Sequence, residues 1–368
     1  MLGYDQPWEE RELSLGHRDS SRERRAWEDG AARVLDGIPY GAVWVRMPRF
    51  IGDSIMIHQA LEPLRAAGIP LVAWGPPAVA EMFRGSDAFA GVWADGPERG
   101  RPWALRRLLR AAGAQAVIGL PRSSRALLAA WLARVPKRVG WRESGGLVLA
   151  TRSLPFKSAG HQLDRYRRLI ESCFPGLPPA PARPFRPRPE AMAAARVAIR
   201  ELALGDSYVV LAVGALTGTK RLGTGVWAGL IQRLRAAGIA HVLLGGAGAD
   251  QAQAAAIQEQ VPGVPDLTGK LSLAGSAAVI AQAKALVGND SAMSHIAAAC
   301  ATPAVVVFGP TRPAATAPVG PQVRVLRRED LPGLGCGLFL CPVPGHPCME
   351  AIAPGDLLDW VQLVLSKA

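Results

Sequence analysis

Lysine is scarce in this chain. Six of its 368 residues are lysine, although Lys and Arg together number 42 against 30 Asp and Glu. The formal charge of +12 is therefore carried by arginine. Such an excess favours anionic partners: nucleic acid, a phosphorylated substrate or an acidic membrane surface. A genome-wide preference for arginine codons would leave the same imbalance. Aromatic residues are also few, at 6%. No stacking motif, zinc-finger spacing or recognition helix is present, so nucleic acid is not an expected partner. Five cysteines make no disulfide scaffold and point to a cytoplasmic protein. No run reaches the roughly 18 uncharged apolar residues of a spanning helix. The N-terminal stretch MLGYDQPWEERELSLGHRDSSRERR lacks the apolar core of about 7–15 residues that a secretory signal needs.

What remains is a chain rich enough in apolar residues, 49%, to fill sizeable cores. At roughly 100–200 residues per domain, its length suggests two domains. Residues 1–37 form a charged N-terminal extension. Short apolar runs then alternate with helical patterns: Ala42–Met47, Leu71–Trp74 and Ala116–Leu120 as strands, with a helix through Leu64 after the first. Pro121-Arg122-Ser123-Ser124 follows the third strand as a turn. The segment Cys173–Pro189 is dense in proline, as a linker is. Beyond it the rhythm returns with Tyr208–Val213, helix Trp227–Ala237, His241–Leu244, Ala285–Val287 and Ala304–Phe308. Alternation of this kind predicts an α/β protein of two parallel-sheet halves with a cleft between them.

Five segments could carry chemistry. In Val287–Pro318 a strand ends at Gly288, and Asn289, Asp290 and Ser291 stand where a helix begins. Free N–H groups there suit a phosphate, and Ser291 adds a hydroxyl. Asp290 would repel that phosphate unless it faces a cation or a sugar hydroxyl; equally, Asp290 or Ser291 is a helix cap. His295 is a core histidine or a ligand. In Arg46–Leu64, Gly52-Asp53 puts a carboxylate at a strand-to-helix loop, as general base or as N-cap; His58 reads as packing or surface. In Val213–Arg221, Thr217, Thr219 and Lys220 can together hold a diphosphate, or form a solvated turn. The run does not match GxxxxGK[ST], so it is no Walker P-loop. Gly245, Gly246 and Asp250 suit close approach to a nucleoside, Asp250 toward ribose hydroxyls. Cys336, Cys341, His346 and Cys348 offer three thiols and an imidazole to a metal, at looser spacing than a zinc knuckle; the plainer reading is a reduced-cysteine loop packed near the cleft.

In order, these segments resemble glycosyltransferase family 9, the ADP-heptose:lipopolysaccharide heptosyltransferases, over residues 40–360. Pro48–Asp53 is similar to the family's P-x-[WF]-x-G-D. Met56 and Gln59 look closest to the heptosyltransferase II branch. His161–Tyr166 (HQLDRY) resembles H-x-x-D-R-Y, Asp266–Leu273 resembles D-L-T-G-K/Q-x-x-L, and Asp290–Thr311 the D-[ST]-G-x-x-H run that ends in G-P-[ST]. The resemblance implies a GT-B fold of two Rossmann-like domains: an acceptor domain over 38–175, a linker at 176–190, a nucleotide-sugar domain over 191–350 and a C-terminal helix over 351–368. It implies inverting transfer without a metal or other cofactor, from a nucleotide-sugar such as ADP-heptose to an anionic lipid-linked saccharide at the inner face of the cytoplasmic membrane. Asp53 is then the base, with Gly52 and Arg49 on the acceptor side. Lys220, Thr217, Thr219, Asp290, Ser291, Ala292 and His295 face the donor diphosphate and sugar. A non-catalytic nucleotide-sugar-binding protein of the same fold is the alternative. The family's glycine after Asp-Ser is Ala292 here, and Arg312 stands where an acidic residue is usual. If the backbone at residue 292 is left-handed, alanine there is strained. Arg101–Arg110 reads as a basic amphipathic helix with Trp103 and the leucines on one side, facing lipid or packing on the sheet.

Overall fold

The computed structural model describes residues 37–96, 102–120, 124–156, 160–331 and 334–367. The extension up to residue 36, Arg101 and the turn residues 121–123 lie outside them. The first half runs β1 (Val43–Arg46), α1 (Ile51–Ala60), α2 (Glu62–Ala66), β2 (Leu71–Gly75), α3 (Pro77–Phe83), β3 (Gly91–Ala94) and α4 (Pro102–Ala111). It continues with β4 (Ala116–Gly119), α5 (Arg125–Leu132), β5 (Lys137–Trp141), α6 (Gly146–Leu149), β6 (Arg152–Leu154) and α7 (Gln162–Cys173). Its six strands form one parallel sheet in the order β3-β2-β1-β4-β5-β6. Strand β1 is apolar at consecutive positions because both its faces are covered. Val43 and Val45 join the core beneath α1 and α7, and Trp44 joins Val72 and Val117 beneath α4 and α5.

The second half runs α8 (Pro189–Glu201), β7 (Val209–Ala212), α9 (Thr224–Ala236), β8 (His241–Leu244), α10 (Ala249–Gln260), α11 (Leu273–Gln282), β9 (Ala285–Asn289) and α12 (Ala292–Ala299). Then come β10 (Ala304–Val307), α13 (Pro313–Thr316), β11 (Val323–Leu326), α14 (Pro347–Glu350) and α15 (Pro354–Leu365). Its parallel sheet has the order β11-β10-β9-β7-β8. The direction of strand order reverses between β1 and β4, and between β7 and β9. Crevices open at the carboxyl ends of such pairs. The loops that carry Asp53 and Asp290 follow β1 and β9, one at each reversal.

Four strands have no counterpart among the expected runs: β3, β5, β6 and β11. Three are sheet edges; β5 starts Lys137-Arg138, and β6 and β11 carry Arg152 and Arg324, so polar residues interrupt their apolar pattern, while β3 is a four-residue run opened by Gly91. Helix α4 corrects another expectation. Leu105, Leu108 and Leu109 are buried on the sheet, but Trp103 is 64% exposed. At about 100° per residue, position 103 falls on the side opposite the leucines.

The proline-rich segment is anchored to both halves. The Phe185 N–H donates to the Ala299 carbonyl at 2.7 Å, and its ring packs 5.6 Å from both His58 and Phe83. His58 is buried rather than on the surface. Its Nδ1 accepts from Arg65 at 2.6 Å, and burial, with Arg65 and Arg183 nearby, pushes its pKa well below the usual histidine range. On the same seam the Glu81 carboxylate accepts from Ser272 Oγ (3.0 Å) and the Ala274 N–H (3.1 Å), so an α3 side chain caps α11. Gln59 donates to the Val319 carbonyl at 2.8 Å. Phe185→Ala should cost about 3–5 kcal/mol in denaturant unfolding, the range for a fully buried phenylalanine; a change within about 0.5 kcal/mol, as at a surface site, would show that this residue does not brace the halves.

Candidate functional site

Three loops of the second half converge on Asp290. Asn289 ends β9 and points its amide into the loop after β7: Nδ2 donates to the Val213 (2.9 Å) and Gly214 (3.3 Å) carbonyls, and Oδ1 accepts from the Leu222 N–H (3.0 Å). That loop then carries Lys220, whose Nζ lies 2.7 Å from Asp290 Oδ2. Thr311, from the turn after β10, donates its hydroxyl to the same oxygen at 2.7 Å. Asp290 thus meets the requirement set by its sequence position, a cation facing it. Neither Asp290 nor Ser291 caps α12 through its side chain. Ser291 has the extended backbone of an N-cap, but its Oγ is buried and has no hydrogen-bond partner. Ala292 opens the helix and is not among the left-handed non-glycine residues, so the alanine in place of the family's glycine is unstrained. His295 is buried, and desolvation takes its pKa down to about 4, leaving the ring neutral near pH 7.

Asp53 stands on the opposite edge. Phe50 is the N-cap of α1, so Asp53 sits inside the first turn and is not a cap. Its Oδ1 accepts from the Tyr166 hydroxyl at 3.3 Å, and burial raises its pKa above the usual aspartate value. The two edges touch at Gly52. A Cβ there would lie 2.9 Å from His295 Cδ2, so the lack of a side chain lets α1 and α12 approach. Arg49 is exposed, with its guanidinium 4.7 Å above the Phe50 ring.

Other expected site residues are already engaged. Thr219 Oγ1 donates to the Leu338 carbonyl at 2.9 Å, and the Thr217 hydroxyl is 3.3 Å from it. The Asp250 carboxylate pairs with Arg221 (2.8 Å) and accepts from the Gly246 N–H (2.9 Å), which ties the loops after β7 and β8 together beside Gly245. Cys336, Cys341, His346 and Cys348 line one small cavity of about 20 Å³ with Thr219 and Pro310. Among the described residues, no group of three or more His, Cys, Asp or Glu is arranged to hold a metal ion. The loop is stitched to the donor side by Gly335 N–H to Gly309 O (3.0 Å) and Gly337 N–H to Pro310 O (2.7 Å). The sequence assigns no role to Asn289, Arg221 or Tyr166, and places Thr311 only in a turn that lines the cleft. Their signal was position: each follows a strand end or lies in a quoted motif.

Two Rossmann-like halves with strand ends facing across a cleft, a carboxylate on one lip and a lysine-backed helix start on the other, define a GT-B architecture. The chain belongs to glycosyltransferase family 9 (heptosyltransferase), whose sequence pattern matches residues 102–336. It is therefore a glycosyltransferase. It is 27% identical over 301 residues to lipooligosaccharide heptosyltransferase 2 of Haemophilus influenzae, covering 76% of this chain and 86% of that protein. Against lipopolysaccharide heptosyltransferase 2 of Escherichia coli it is 28% identical over 299 residues, again covering 76% and 86%. The structure of the E. coli ADP-heptose LPS heptosyltransferase II superposes with a TM-score of 0.74 at 22% identity, covering 89% of this chain and 99% of that one, which shows a shared fold.

Lys220→Ala should weaken binding of a nucleoside diphosphate by about 10–100-fold in calorimetry, as loss of a charged hydrogen bond does. Unchanged affinity would remove Lys220 from the donor site.

Proposed function

We propose that this glycosyltransferase moves a heptose from ADP-heptose to a saccharide of the lipopolysaccharide core, with inversion at the anomeric carbon. The observation that carries the proposal is the contact of Gly52 with His295, which sets the Asp53 lip against the Lys220–Asp290–Thr311 lip. The names of the Haemophilus and E. coli relatives support a heptosyl donor and a lipopolysaccharide-class acceptor, and the name of the E. coli structure supports ADP-heptose.

In this reading the nucleoside lies near Gly245, Gly246 and Asp250. The diphosphate meets Lys220, the unpartnered Ser291 hydroxyl and the free N–H groups at Ala292, where the α12 dipole also favours anionic charge; Thr217 and Thr219, already engaged with each other and with Leu338, line the same loop. His295, neutral, supports the Gly52 edge and the sugar. Asp53 takes the proton from an acceptor hydroxyl as that oxygen attacks the anomeric carbon from the face opposite the diphosphate. Negative charge that builds on the leaving diphosphate is met by Lys220 and the helix start, a preorganised electrostatic contribution that needs no movement during the reaction. Arg49 offers a cation to an anionic acceptor. Such an acceptor is lipid-linked at the cytoplasmic face of the inner membrane. Among the described residues no helix is long and apolar enough to cross a membrane. Peripheral contact is assigned to the outward side of α4, where Trp103 and Arg107 are exposed.

Asp53→Ala should lower turnover at least about a hundredfold with donor affinity little changed. In the parent enzyme, kcat/KM should fall with decreasing pH at a point above the ordinary aspartate range, because burial raises the Asp53 pKa and only the carboxylate can accept a proton. Near-normal turnover in the alanine variant would remove Asp53 from the mechanism. Vesicle cosedimentation should rise with the anionic lipid fraction and drop in Trp103→Ala/Arg107→Ala; binding independent of lipid charge would retire the α4 contact.

A further inference from the structure

The run His161–Tyr166 opens α7, and its polar side chains connect both lips of the cleft. His161 is the N-cap of α7. Its Nδ1 accepts from the Leu163 N–H at 3.2 Å, so the proton sits on Nε2, which donates to the Ala317 carbonyl of the second half at 2.9 Å. One helical turn on, Tyr166 is 5% exposed and donates its hydroxyl to Asp53 Oδ1. Gln162 lies between them. Its Oε1 accepts from Arg165. Arg165 thus holds Gln162 at the start of the helix, and Tyr166 holds Asp53 one turn further on. Ala317 is the C-cap of α13, six residues after Thr311, which itself holds Asp290.

We infer that the His161–Tyr166 run is a positioning strut: Tyr166 fixes the Asp53 carboxylate toward the acceptor, and His161 fastens the same helix to the loop that holds the donor cluster. Tyr166 is thus a positioning residue that acts through Asp53. Burial and the adjoining carboxylate hold the Tyr166 phenol far above its usual range, so it remains a donor at every working pH. Its hydrogen bond favours the ionised form of Asp53 and opposes the burial that disfavours it. The charged and titratable groups that face Asp53 are Tyr166 and Arg165 from α7 and, beyond Gly52, the neutral His295 of α12. The inference rests on Asp53 being the base.

The test is Tyr166→Phe, which keeps the buried ring, measured beside Asp53→Asn in release of ADP from ADP-heptose with a lipopolysaccharide-core acceptor on which the parent enzyme turns over. In Tyr166→Phe, kcat should fall about tenfold, with ADP affinity within about twofold of the parent. The acid limb of kcat/KM should move to higher pH by about one unit, because burial is then unopposed. A Tyr166→Phe profile that superimposes on the parent while Asp53→Asn is inactive would overturn the strut and leave the base standing. A fall in kcat with the acid limb unmoved would also overturn it, since a purely structural role predicts that result. Activity retained in Asp53→Asn would remove both.

Discussion

The approach of α1 to α12 at Gly52 and His295 is the contact on which the rest of this site depends. Each half supplies only part of the chemistry. The first half offers a carboxylate, the second a cation and a helix start. Close packing of α1 on α12 at this point sets the two lips side by side. A Cβ at position 52 would lie 2.9 Å from the imidazole, so one of the two would have to shift. The ring it would meet is neutral, which makes the contact inexpensive: a charged imidazolium buried there would need a partner.

Around that contact the polar groups are arranged for binding more than for stability. Asp290 is buried with Lys220, and such pairs are weak evidence of net stabilisation, because desolvation offsets the attraction. Thr311 and Asn289 hold the pair in place through loops that belong to three different strands. The Ser291 hydroxyl, buried without a partner, is a cost that a ligand would remove. Phe185 and Glu81 serve a different purpose. They bind the linker and the two halves into one seam and so keep the lips in register.

The two-halved α/β organisation was legible because central parallel strands are apolar at every position, as in Val209–Ala212 and Ala304–Val307. Edge strands such as β11, with Arg324 exposed between valines, were not, because their period-two pattern is short and half polar. Asp53, Lys220 and Asp290 were legible because each lies in the segment that leads from a buried strand into the next helix. The bond from Tyr166 to Asp53 was not, since it joins residues 113 positions apart and depends on how α7 crosses α1. The side of α4 that holds Trp103 was misjudged from composition, although helical geometry alone places it opposite the leucines. Asp250 was assigned to a ribose from its place after a glycine pair; the structure gives it Arg221 first.

A crystal structure with ADP-heptose bound would test the central claim most directly. The account predicts the diphosphate against Lys220 and the Ser291 hydroxyl, with the Asp53 carboxylate facing the anomeric carbon from the side opposite the leaving oxygen. A diphosphate seated away from Lys220 and α12, or an Asp53 carboxylate on the same side as the leaving group, would contradict it.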